Sequence, residues 1–307
     1  MSSMAIEAVN LTKTFSGGRV AVSGLDLGIP KGTVYGLMGR NGSGKSTALR
    51  LLLGLLKADS GSARVLGHDL WTAPRSLRSR VSYVAQNPQL PGWMTLRDLS
   101  RYVGHLYERW DQKLFETAAD RWDLPLTQPV GRMSTGEQRK TAVVLALAPQ
   151  PEALLLDEPT AGLDSIARRE FVQLLVEALA ERPETTVVLS THELGDLGRL
   201  ASIVGLMDRG RLVLSQEVEE LQQTMRRVQI IFPEEPDMKW LRLPGLVRQE
   251  RMGSVVTAIC RLASDQQLDF LREQAGVRLE VFPMGIEDIF IEVFESVEST
   301  LLRESRN

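Results

Sequence analysis

The stretch Gly39-Arg40-Asn41-Gly42-Ser43-Gly44-Lys45-Ser46-Thr47 constrains this chain more than any other. A glycine, four residues and then Gly-Lys-Ser is the spacing of a phosphate-binding loop. Thr33 to Met38, before it, has the composition of a buried strand, and the mostly apolar run from Ala48 to Leu56 predicts a helix after it. Glycines let backbone N–H groups turn inward around phosphates, and a helix N-terminus adds the positive end of its dipole. In such a loop Lys45 reaches the β- and γ-phosphates and the Ser46 hydroxyl ligates Mg²⁺. A glycine-rich turn that carried a lysine by chance would not bring both flanking elements with it. Alone, the loop implies only that a nucleoside triphosphate binds.

At 307 residues the chain is long for one domain, and two are expected. A hydrophobic content of 43% and a charged content of 24% suit a globular protein with a substantial core. The net charge of −3 supplies no global basic field, so nucleic acid is not an expected partner. Arg75, Arg78 and Arg80 form a small basic run that reads as a solvated face. The single cysteine, Cys260, has no partner for an internal disulfide, which suits a reducing compartment. Met1 to Glu7 lacks the basic and apolar segments of a signal peptide, and no apolar run approaches the roughly 18–20 residues of a membrane span. The expectation is a chain that would serve a membrane process only by docking onto another protein.

Along the chain, Ala5 to Leu11 and Val20 to Ile29 alternate like antiparallel strands around a Ser16-Gly17-Gly18 turn. Short strands are expected at Ala63 to Leu66 and Val81 to Ala85. The pattern then becomes helical and more polar from Thr95 to Trp122, inside a helical subdomain of about residues 92–148. Ser134 opens a further helix that runs to Pro149. Ala153-Leu154-Leu155-Leu156-Asp157 has the continuous apolar run of a parallel strand buried on both faces. A helix from Ile166 to Ala180, strands at Thr186 to Ser190 and Ala201 to Met207, and a short helix near Glu193–Gly198 complete a mostly parallel α/β sheet with an antiparallel layer. Near Gln216 the character changes, and the chain is divided into residues 1–215 and 216–307. The second part opens with a charged helical stretch from Glu217 to Arg227. Strands at Val228–Phe232, Ser254–Leu262 and Val277–Phe282 and helices at Gln267–Glu273 and Ile286–Phe294 follow, giving a small α+β unit. The tail from Glu298 has no evident core role.

Leu154 to Glu158 supplies what the glycine loop lacks. An apolar strand ends in two carboxylates where ligands bind an α/β sheet, beyond the carboxyl ends of its strands. Asp157 is placed to hold Mg²⁺, and Glu158 to polarise a water for in-line attack on the γ-phosphate.

With these motifs in this order, the chain resembles the nucleotide-binding subunit of an ATP-binding-cassette (ABC) transporter over about Ala5 to Leu214. The resemblance implies a P-loop NTPase fold and an ATPase that uses ATP and Mg²⁺. It makes Gly39 to Thr47 the Walker A loop (Gly39, Asn41, Gly42, Ser43, Gly44, Lys45, Ser46 and Thr47 on the nucleotide) and Leu154 to Glu158 the Walker B strand. Gln86 corresponds to the Q-loop glutamine that touches Mg²⁺ or water, and Ala161-Gly162-Leu163-Asp164 to the D-loop. His192 corresponds to the switch histidine at the γ-phosphate, and Phe15 to the aromatic that stacks on adenine. Met133-Ser134-Thr135-Gly136-Glu137-Gln138 matches the signature motif, with Thr135 in place of a glycine and Glu137 in place of a glutamine. The same residues form a helix capping box, Ser134-x-x-Glu137. Each ATP in the family lies between the Walker A loop of one subunit and the signature (Ser134, Gly136, Glu137) of a second. The resemblance therefore implies a sandwich dimer driving separate membrane subunits from the cytoplasmic side, with a permease helix docked near Gln86–Leu99 on Trp93 and Met94. Ile286-Glu287-Asp288-Ile289-Phe290 resembles the end of the small C-terminal domain of exporter-type members.

Three other readings fit the chain less well. A soluble ABC ATPase of translation carries two cassettes, and only one is present. A member acting in DNA maintenance has a long coiled coil between Walker A and Walker B, and no sustained heptads occur here. A nucleotide sensor without turnover would not need Lys45, Glu158 and His192 together.

Overall fold

The computed structural model describes residues 3–192, 200–236, 238, 241–274 and 276–293. The helix expected near Glu193–Gly198 and the tail from Glu298 lie outside the described residues. The chain divides into two units between Ser215 and Gln216.

In the first unit the apolar patterns sort the strands into two sheets. β1 (Met4–Thr14) and β2 (Val20–Pro30) alternate buried and exposed residues and pair antiparallel. The short strand β4 (Ser60–Val65) pairs with the other edge of β1, giving the order β2-β1-β4. The continuous apolar runs build a six-stranded sheet from β3 (Val34–Met38), β5 (Val81–Val84), β6 (Ala153–Asp157), β7 (Thr186–Thr191), β8 (Ile203–Asp208) and β9 (Arg211–Glu217). Its order is β5-β6-β7-β3-β8-β9, and the ladders from β5 through β8 are parallel. Every residue of β6 and β7 is buried, as both faces of a parallel sheet require.

Helices cover this sheet and carry the motifs. α1 (Lys45–Leu52) shares one core with both sheets: Leu49 and Leu52 join Ile6, Leu25 and Val65 with Tyr35, Leu155 and Val188. α2 (Arg75–Arg78) is a single turn bearing part of the basic run. The helical stretch expected from Thr95 to Trp122 is two helices, α3 (Leu96–Gly104) and α4 (Gln112–Arg121). The break has a local cause, because the Asp111 side chain accepts the Leu114 N–H at 2.9 Å and starts a new helix. α5 (Thr135–Leu147) and α6 (Ser165–Glu181) follow.

The second unit starts with α7 (Val218–Thr224), shorter than the charged stretch predicts. Arg226 and Arg227 already belong to β10 (Met225–Ile231). β11 (Leu246–Met252) and β12 (Val255–Arg261) form a hairpin, and β13 (Arg278–Pro283) closes an antiparallel sheet of order β11-β12-β10-β13. β11 escapes the sequence reading because it is an edge strand whose Val-Arg-Gln-Glu-Arg run carries little apolar signal. Val228, Ile230, Val256, Ala258 and Cys260 meet Leu268 and Leu271, the latter from α8 (Asp269–Arg272), in a core of their own. Burial there pushes the Cys260 thiol up to about 11. The last helical segment, residues 286–293, buries Ile289 and Phe290.

Leu155 is wholly buried at the centre of β6. Leu155→Ala should cost about 2–5 kcal/mol through lost transfer energy and a cavity. A lowered denaturant midpoint for the first unit is the expected result, read by urea unfolding.

Candidate functional site

The glycine loop leaves the end of β3 and enters α1, and its backbone is set by contacts that exclude side chains. Gly39 has φ +154°, and a Cβ there would overlap the Met207 carbonyl oxygen and the Ser43 hydroxyl. Gly44 has φ +109°, and a Cβ would strike the Ala21 carbonyl oxygen. Gly44 is also the N-cap of α1 and offers no side-chain cap, so the first-turn amides are left for a ligand. The loop borders a cleft of about 360 Å³ lined by Arg19, Val20, Ala21, Asn41, Gly42, Gly44, Lys45, Ser46, Thr47, Gln86 and Glu158.

Lys45 is buried, with 4% of its surface exposed, and a buried ammonium needs partners. It donates to the Gly39 carbonyl at 2.7 Å and the Arg40 carbonyl at 3.4 Å, and it lies 3.4 Å from the Glu158 carboxylate. Gln86 Nε2 donates to Glu158 at 3.1 Å, and His192 Nδ1 lies 3.2 Å from the same carboxylate. Four residues assigned catalytic roles from the motifs thus meet at one group. Glu158 itself stands at φ +47°, a left-handed backbone that costs a non-glycine residue about 1–3 kcal/mol and clusters at functional sites. Its N–H is held by Ser190, through the backbone carbonyl and the hydroxyl, each at 3.0 Å.

Asp157 has no exposed surface. Its Oδ1 accepts from Ser46 Oγ at 3.0 Å and Ser190 Oγ at 2.7 Å, and Oδ2 accepts from the Tyr83 hydroxyl at 3.5 Å. Burial and then the Asp157 charge raise the Tyr83 phenol. A hydroxyl and a carboxylate oxygen side by side at the mouth of a phosphate loop are hard oxygen donors, and they fit Mg²⁺. Neither Ser190 nor Tyr83 was singled out from sequence. The signal for Ser190 was a lone hydroxyl ending a Val-Val-Leu run just before Thr191-His192.

Ser134, Gly136, Glu137 and Asp164 are not among the residues lining the cleft. Ser134 caps α5: its Oγ accepts the Glu137 N–H at 3.2 Å, and the Glu137 carboxylate accepts the Ser134 N–H at 2.7 Å. Hydrogen bonds to that carboxylate, first from the Ser134 backbone N–H and then from the Ser134 hydroxyl, hold the Glu137 carboxyl below its ordinary value. Asp164 caps α6 by accepting from the Ile166 and Ala167 N–H groups at 2.9 Å, and the Ala167 bond leads in lowering its pKa. Phe15 is half-buried and does not line the cleft; the Arg19 guanidinium sits over its ring at 5.6 Å. In the Gln86–Leu99 segment Trp93 is 82% exposed, whereas Met94 is half-buried.

Fold and site together define a P-loop nucleotide-binding ATPase. Residues 22–161 match the family model for ABC transporters. The chain is 36% identical over 227 residues to the daunorubicin/doxorubicin resistance ATP-binding protein DrrA of Streptomyces peucetius, covering 72% of this chain and 68% of that one. It is 31% identical over 300 residues to the Nod factor export ATP-binding protein I of Rhizobium sp. (strain N33), covering 95% and 97%. A solved ATP-binding subunit of an ABC transporter superposes with a TM-score of 0.64 at 22% identity, over 72% of this chain and 92% of that one, and shares its fold. The chain belongs to the ABC transporter family, as an ATP-binding and ATP-hydrolysing subunit. Among the described residues no helix is long and apolar enough to cross a membrane.

The Glu137 pKa is depressed on folding, so its contribution to stability is present above the ordinary carboxylate pKa. It fades as pH falls through the lowered value. Ser134→Ala removes the hydroxyl bond and keeps the backbone one. An NMR titration of the Glu137 side chain should therefore show a pKa that rises but stays below the ordinary value.

Proposed function

We propose that this chain powers an export-type transporter, with each ATP site completed by a second nucleotide-binding subunit. The observation that carries the reading is the convergence of Lys45, Gln86 and His192 on Glu158 beside the glycine loop. Gly39 to Thr47 receives the phosphates, with Lys45 on the β- and γ-phosphates and the α1 amides around them. Glu158 acts as general base for the attacking water. Gln86 and His192 orient that water and the γ-phosphate. Ser46 and Asp157, with Gln86, would hold Mg²⁺, which would supply neutralisation of charge developing on the phosphates. The hairpin bearing Phe15 receives the base.

The assignment of Ser134, Gly136, Glu137 and Asp164 to the partner's nucleotide rests on the likeness of their segments to the signature and D-loop, and none of the four lines this chain's own cleft. The capping box starts α5 and takes up the Glu137 N–H, so the amides of Thr135 and Gly136 are the first-turn donors assigned to an anion. Binding of ATP closes the pair of subunits and hydrolysis releases it, because ATP binds the closed state more tightly. Trp93, exposed on the Gln86–Leu99 segment, is the anchor assigned to a helix of a separate permease. On this reading the subunit is peripheral, on the cytoplasmic face of a membrane. Residues from 216 onward are assigned as an accessory domain. Export is favoured because relatives named for drug resistance and Nod factor export align over most of this chain.

Three measurements check the assignment. Glu158→Gln should keep ATP binding and lose turnover by about 10²–10⁴-fold, and normal turnover would remove Glu158 as the base. Lys45→Ala should lose ATP binding. Specific activity of the wild type should rise with protein concentration and then saturate, whereas a concentration-independent rate would rule out a shared site.

A further inference from the structure

β7 is buried on both faces, and its Val187-Val188-Leu189 run stays apolar until Ser190 interrupts it. A hydroxyl with no exposed surface is costly at such a position unless it is bonded, and alanine would fit there without that cost. The parallel register sets Ser190 beside Asp157. Ser190 Oγ donates to Asp157 Oδ1 at 2.7 Å, a shorter bond than those from Ser46 at 3.0 Å and Tyr83 at 3.5 Å. The same oxygen accepts the Glu158 N–H at 3.0 Å, and the Ser190 carbonyl accepts it at 3.0 Å as well. A carboxylate accepts and an N–H donates, so the single O–H faces Asp157 and a lone pair faces Glu158. One hydroxyl therefore touches both acidic residues at the end of β6.

We propose that Ser190 is a positioning residue for ATP hydrolysis, whose hydroxyl holds the metal-site carboxylate of Asp157 and the base Glu158 in register. This inference rests on the roles assigned above to Asp157 and Glu158. Glu158 stands at φ +47°, a backbone that has to be held from outside. The Ser190 carbonyl supplies one part of that hold and has no bond to Asp157. The hydroxyl supplies the other part and is tied to Asp157 directly. A displacement of the Asp157 carboxylate then draws on the hydrogen bond that fixes the start of Glu158. Loss of the hydroxyl alone leaves the Glu158 N–H bonded to the Ser190 carbonyl and Asp157 bonded to Ser46, so β6 and β7 keep their pairing.

The test compares Ser190→Ala with the wild type in the full chain, and repeats the substitution on a Glu158→Gln background. Metal-free ADP affinity, measured by calorimetry in the presence of a chelator, should stay within about twofold and so report an intact glycine loop. The kcat should fall by about 10–10²-fold with the KM for ATP little changed, as a misaligned reacting group requires. The Mn²⁺ affinity of the ADP-bound chain, read by electron paramagnetic resonance, should weaken by about tenfold through the lost Asp157 bond. On the Glu158→Gln background the same substitution should cost less than about threefold in kcat, because a hydroxyl that acts through the base has nothing left to aim. A purely structural defect would repeat its full loss on that background and overturn the proposal. An unchanged kcat, an unchanged Mn²⁺ affinity or a matching fall in ADP affinity would overturn it too. Turnover by Glu158→Gln at the wild-type rate would instead defeat the assignment of the base, and the proposal with it.

Discussion

The buried carboxylate of Asp157 holds the site together. Ser46 brings α1 to it, Ser190 brings β7 to it, and Asp157 itself ends β6. A carboxylate without exposed surface is costly unless its oxygens are satisfied, so three elements distant in sequence are tied at one point. The tie aligns the carboxyl end of β6 with the mouth of the glycine loop. Everything assigned to phosphate chemistry is measured from there.

Glu158, one residue on, depends on that alignment. Its left-handed backbone is maintained because Ser190 fixes its N–H and Lys45, Gln86 and His192 surround its carboxylate. Strain of this kind persists only where neighbours over-determine it. Lys45 has the converse need, since a buried ammonium must keep an anion or carbonyl oxygens close. In this structure Glu158 and the Gly39 and Arg40 carbonyls meet that need together.

The signature segment shows how one local device serves two ends. Ser134 and Glu137 satisfy each other's N–H groups and start α5, which any stable helix could use. Glutamate in place of the usual glutamine strengthens the box, because an ionised acceptor makes a stronger bond to the Ser134 N–H. Asp164 does the same for α6. In both cases the side chain is engaged with its own helix, at the Glu137 N–H in α5 and at the Ile166 and Ala167 N–H groups in α6.

Much of the site was legible in the chain itself. The Gly39–Thr47 spacing, the apolar run ending in Asp157-Glu158 and the Ser134 capping box all express local backbone requirements: left-handed glycines, burial on both faces of a strand, orphan N–H groups. Such requirements depend on near neighbours in sequence and can be read without a fold. What the tertiary structure decided was which side chains meet. Ser190 and Tyr83 around Asp157 and the four-way contact at Glu158 join residues far apart in the chain. The edge strand β11 and the break before α4 were likewise settled by pairing and by a single cap, because neither leaves an apolar period to follow. Periodicity records how each segment faces a core, and it carries no record of what waits on the other side.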